Sequence, residues 1–127
     1  MTRPLFLLLV LLSLSACSGS GSGDPDVDRV QELIEDGVDA SQTHTLRFSF
    51  LFADETAAKK VCKRLRTEGF TPQLGTADDS RRFSCQGIKQ FPLEPKLLRQ
   101  LRLRFEVLAQ NFGGEFNGWE LVTPAQS

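Results

Sequence analysis

Between Thr43 and Ala53, large apolar residues fall on every second position: Leu46, Phe48, Phe50 and Phe52, with Thr45, Arg47 and Ser49 between them. Period-two alternation predicts a strand with one buried and one polar face. The period then lengthens. Ala57, Ala58, Val61, Cys62 and Leu65 make the inner stripe of a helix, with Asp54 as its cap and Glu68-Gly69 as its end. Gly69 to Leu74 reads as a second strand, and Pro72, which has no N–H to give a ladder, places it at a sheet edge. Gly75 to Ser80 is turn chemistry, so a hairpin leads into a third strand from Arg81 to Ile88, with Phe83, Cys85 and Gly87 on one face. Gln90-Phe91-Pro92 interrupts that pattern.

Glu94-Pro95 opens a longer helix reaching about Phe112. Leu97, Leu101, Phe105, Leu108 and Phe112 form its buried stripe, and Lys96, Arg99, Arg102 and Arg104 lie mostly off it. Gly113-Gly114 stops this helix, and Glu115 to Val122 reads as the last strand. Phe116 and Trp119 would fall on opposite faces of a regular strand, so Asn117-Gly118 is expected to bulge. Upstream, Asp24-Pro25 starts a short acidic helix with Val27, Val30, Leu33 and Ile34 on one face and Gly37 at its end. The order is helix, then βαββαβ. This predicts an α+β fold, a ferredoxin-like two-layer sandwich with an extra N-terminal helix. The first and third strands are then central, and both main helices cover Phe48 and Phe50. The uncovered sheet face shows Thr45, Arg47, Ser49, Arg82, Ser84 and Gln86.

Composition narrows the possibilities. A length of 127 residues allows one domain, at roughly 100–200 residues per domain. The formal net charge of −1 excludes a uniformly basic nucleic-acid binder. The unbroken apolar run from Leu5 to Leu12, after Arg3, is too short to span a bilayer and reads as a secretory signal. Leu14-Ser15-Ala16-Cys17 follows directly and resembles the lipobox of bacterial lipoproteins. That resemblance implies a signal peptide over 1–16 and acylation of Cys17, which tethers the protein to a lipid bilayer. Ser18 after the cysteine points to the outer rather than the inner membrane, facing the periplasm. The Ser/Gly stretch up to Gly23 is a flexible tether, 24–122 is the domain, and 123–127 is a tail.

Candidate chemistry is sparse. Cys62 and Cys85 are the two cysteines of the mature domain. A helix over a sheet can bring such a pair into disulfide range in an oxidising compartment, and two buried free thiols are the alternative. His44 is the single histidine, too little for a metal site or a catalytic triad. No phosphate-binding glycine loop occurs. Catalytic residues, metal ligands, cofactors and a small-molecule substrate are therefore not expected. The outward run Lys59, Lys60, Lys63, Arg64 and Arg66 is open to anionic lipid, acidic glycan or an acidic partner, or is an ordinary solvated face. The acidic stretch from Asp24 to Asp39 is available to neutralise it within the molecule. Arg47 and Arg82 mark the open sheet face as a second contact candidate. That face lacks the aromatic pair on which RNA-recognition sheets stack bases, so nucleic acid is not expected.

Three segments taken together resemble a known family: Glu32 to Asp39, the strand from His44 to Phe52, and Gly114-Glu115-Phe116-Asn117-Gly118-Trp119-Glu120. They are similar to the regulator of ribonuclease E activity B family, a small ferredoxin-like domain, over about Val27 to Val122. The resemblance implies a non-catalytic protein inhibitor that binds a ribonuclease. Its inhibitors are cytoplasmic and acidic, whereas this chain carries an export signal and basic main helices. The expected partner is accordingly an unknown envelope protein. The alternatives are a peptidoglycan-binding module of the sporulation-related-repeat type, or a cytoplasmic ribonuclease E inhibitor if the N-terminal segment is not an export signal.

Overall fold

The computed structural model describes residues 23–77 and 81–123. The expected signal segment, Cys17, the expected tether before Gly23, residues 78–80 of the expected hairpin turn and the last four residues of the tail lie outside the described residues. The elements run α1 (Pro25–Glu35), β1 (Thr43–Phe52), α2 (Glu55–Thr67), β2 (Thr71–Thr76), β3 (Phe83–Pro92), α3 (Pro95–Asn111) and β4 (Gly114–Leu121). The strands form one sheet in the order β2-β3-β1-β4 with every neighbour antiparallel. Each strand–helix–strand crossover skips one strand, the ferredoxin-like α+β sandwich that the element order implies.

The alternation in β1 is what fixes this arrangement. Leu46, Phe48, Phe50 and Phe52 are buried beneath the helices, while Arg47, Ser49 and Leu51 face the other way and stay partly accessible. Full burial of each such side chain contributes about 1.5–3 kcal/mol. The rings interlock: Phe48 meets Phe70, Phe91 and Phe105 edge-on with centroids 5.6 Å apart, and Phe50 lies 5.0 Å from Phe116. Phenylalanine suits this core because it brings no hydroxyl that burial would strand.

The bulge in β4 lets two aromatics share that core. Phe48 pairs with Trp119 and Phe50 pairs with Phe116, so the register slips by one residue opposite Ser49. Gly118 takes φ 98°, a left-handed conformation that suits glycine, and the slip turns Phe116 and Trp119 to the same side.

Four sequence expectations shift. β3 continues to Pro92, so Gln90-Phe91-Pro92 belongs to the strand; Phe91 pairs with His44 and packs on Phe48. β2 begins at Thr71, because the chain first closes α2 through Phe70 N–H to Leu65 O. In α3 the buried stripe is Leu98, Leu101, Phe105, Leu108 and Ala109, with Leu97 and Phe112 only partly covered. In α1 the inward face is Asp26, Val30 and Leu33, while Val27 and Ile34 are exposed.

Candidate functional site

Two surfaces carry the contact candidates, and they lie on opposite layers. The helix layer holds Lys59, Lys60, Lys63 and Arg64, all exposed on α2. Lys59 approaches Glu55 at 4.0 Å, and Arg64 approaches Glu68 at 3.4 Å. Glu68 also meets Arg104 of α3 at 2.9 Å, which ties the two helices together. The acidic helix α1 does not serve α2. It packs on α3, where Asp24 faces Arg99 at 3.9 Å and Asp26 faces Arg102 at 2.8 Å. The expected neutralisation of the α2 cations by the acidic stretch is therefore corrected for Asp24 and Asp26, whose charge is taken up by α3.

Below α2 the edge strand leaves a groove of about 280 Å³ lined by Lys59, Cys62, Lys63, Arg66, Pro72 and Leu74. Cys62 and Cys85 are joined at its inner wall, Cα to Cα 5.7 Å, linking α2 to the central strand β3. The sequence placed both cysteines on inward faces, and the two faces meet here.

The other surface is the open sheet face. It contains a cleft of about 450 Å³ that runs from Thr76 and Arg82 past Ser84, Gln86 and Ser49 to the bulge at Asn117-Gly118. Gln86 Nε2 donates to Ser49 Oγ at 3.4 Å across β3 and β1. The two arginines of this face are engaged: Arg47 pairs with Glu120, and Arg82 approaches Glu115 at 3.9 Å. Leu51 and Ile88 add partly buried apolar area here. Arg47 and Arg82 thus belong with the acidic residues of β4 and are not brought together with the lysines of α2.

The remaining ionisable groups of note are structural. His44 Nε2–H donates to the Asp39 carbonyl at 2.7 Å. The Asp39 carboxylate accepts from both the hydroxyl and the backbone N–H of Ser41, at 2.6 and 3.0 Å. These bonds, the hydroxyl foremost, hold its pKa below the usual carboxylate value, and His44 nearby adds to the effect. Asp26 is 2% exposed and receives Arg102 Nε and Trp119 Nε1–H, one on each oxygen. The Asp26 bond raises the Arg102 pKa above its usual value. Sequence reasoning missed this cluster, because the three residues share no spacing and Asp26 sits on a helix rich in exposed acids. Among the described residues, no group of three or more His, Cys, Asp or Glu is placed to hold a metal ion.

The family model described as Regulator of ribonuclease activity B matches residues 24–121, nearly all of the described domain. No curated protein matches the chain.

Proposed function

The chain belongs to the regulator of ribonuclease activity B family, and from that premise we propose a non-catalytic, protein-binding regulator held at the cell envelope by acylation of Cys17. The observation that carries this reading is one of order along the chain. The family match begins at residue 24, a short Ser/Gly tether after Leu14-Ser15-Ala16-Cys17. A multiply acylated cysteine anchors firmly, since each buried CH₂ contributes about 0.8 kcal/mol. The tether then presents the domain to partners near the membrane surface, with Ser18 favouring the outer membrane and its periplasmic side. The family is described as a regulator of ribonuclease activity. A domain exported across the inner membrane does not meet a ribonuclease of the cytoplasm, so its partner is an envelope protein.

Labelling with radioactive palmitate, followed by fractionation, tests this directly. The wild-type protein is expected in the membrane fraction with label, and Cys17→Ala is expected to lose the label and remain a larger, unprocessed precursor. An unlabelled wild-type protein in the cytosol would transfer the case to a cytoplasmic ribonuclease inhibitor.

A further inference from the structure

The groove between α2 and β2 combines an apolar floor, a cationic rim and a free sheet edge. Its floor is apolar, made by Pro72, Leu74 and the Cys62 side, and Leu74 is 45% exposed. Its rim is cationic, with Lys59, Lys63 and Arg66 on one wall. Lys63 and Arg66 have no ion-pair partner among the described residues.

The groove also runs along a free sheet edge. β2 pairs only with β3. Ala77 N–H donates to Arg82 O at 2.9 Å, which sets the phase of the β2–β3 ladder. Antiparallel pairs alternate between bonded and non-bonded positions. Thr71, Gln73 and Gly75 therefore bond inward to β3, while Pro72, Leu74 and Thr76 turn their backbone groups outward. The same three residues direct their side chains to the helix side. Pro72 is tolerated because the N–H it lacks would have pointed away from the sheet.

We propose that this edge and groove bind an extended acidic segment of a partner protein as an added strand beside β2. Carbonyl and amide groups at Leu74 and Thr76 would complete the ladder. On alternate residues of the incoming strand, acidic side chains would meet Lys59, Lys63 and Arg66, and one apolar side chain would cover Leu74 and Pro72. A bilayer surface satisfies the cations equally but leaves the edge amides unused, and this is why a peptide is favoured. The inference rests on the reading of the domain as a protein-binding module and names the partner's chemistry.

The test uses the full-length protein in detergent micelles and a fluorescein-labelled peptide. The peptide carries glutamate, leucine and glutamate on alternate positions with threonine between. Fluorescence anisotropy is expected to show saturable binding that weakens with salt. Lys63→Glu with Arg66→Glu should weaken it about tenfold, since two exposed attractions become repulsions. In an antiparallel addition the residues whose side chains face the helix side are also those whose N–H groups face β2, so N-methylation of the leucine's own amide should weaken it by at least as much. Unchanged affinity in either case would overturn the proposal. So would binding to phosphatidylglycerol vesicles without binding to the peptide. A concentration-dependent self-association that the double variant abolishes, with no peptide binding, would assign the groove to a second copy and overturn it as well. Palmitate labelling of Cys17 together with a groove that fails would leave the envelope reading standing. Peptide binding by an unacylated cytosolic protein would do the reverse.

Discussion

Trp119 Nε1–H donates to Asp26 Oδ1 at 2.9 Å, so the last strand holds the first helix by a buried hydrogen bond. Arg102 Nε meets the other oxygen at 2.8 Å. Each oxygen of this buried carboxylate therefore has a donor, which is the condition for burying one at all. Asp26→Ala is expected to destabilise the domain by about 2–4 kcal/mol, somewhat below the usual loss for a broken buried pair because Arg102 can turn toward water. Trp119→Phe keeps most of the ring and removes one donor, for a loss of about 1–3 kcal/mol. Urea midpoints measure both. A change under about 0.5 kcal/mol in Asp26→Ala would mean that α1 is not held by this cluster.

Gly87 and Gly118 separate two reasons for glycine. A Cβ at Gly87 would lie 2.9 Å from Leu65 Cδ1 and 3.2 Å from a Phe70 ring carbon, on the strand position opposite Phe48. Gly87→Ala therefore overpacks the core and should lower stability by about 1–3 kcal/mol. At Gly118 there is open space around a Cβ, but φ is +98°. Gly118→Ala should lose about 1–2 kcal/mol through backbone strain alone. Gly118→Asn, which tolerates this conformation better, should recover part of that loss. Thermal unfolding of the three variants distinguishes the causes, because only the strained site responds to asparagine.

The sheet was legible because β1 alternates strictly and each helix keeps an apolar stripe. Even the bulge was legible, since Phe116 and Trp119 could share a core only if one residue was extra. The failures have separate origins. Phe91 and Pro92 looked like a break, yet at the end of a central strand Phe91 can still reach Phe48. Asp26 was hidden for a different reason. A buried acid on a surface helix is set by partners 76 and 93 residues away, and local periodicity holds no trace of them. The groove beside β2 was half legible: Pro72 gave the edge and the lysines gave the charge. Their meeting depended on the packing of α2 over β2.

Acid should act on the loop before β1. The Asp39 pKa is lowered in the folded protein, chiefly by the Ser41 hydroxyl and backbone bonds. The folded state thus binds the proton less readily than the unfolded chain. Its contribution is present above the ordinary carboxylate value of 3.8 and is lost as pH falls through the lower folded value. An NMR titration of the Asp39 side chain should show a midpoint below 3.8 in the wild type and a return toward it in Ser41→Ala. Coincident curves would remove Ser41 as the cause.

The Cys62–Cys85 pairing offers a separate test of the proposed compartment. The two residues are separated by 23 positions in the chain, and both are buried where α2 lies on β3. Closing a loop of this size restricts the unfolded chain, which is worth about 3 kcal/mol. On the envelope proposal, the mature protein purified without reductant should take up no iodoacetamide when denatured, and two equivalents after reduction, since acylation would hold the Cys17 sulfur in a thioether. Reduction should also lower the urea midpoint, and Cys62→Ser with Cys85→Ala should match the reduced protein. The groove would respond too, because Cys62 forms part of its floor. Two free thiols in the protein as isolated from cells would argue for a reducing compartment. That result would weigh against export as heavily as a missing acyl group on Cys17.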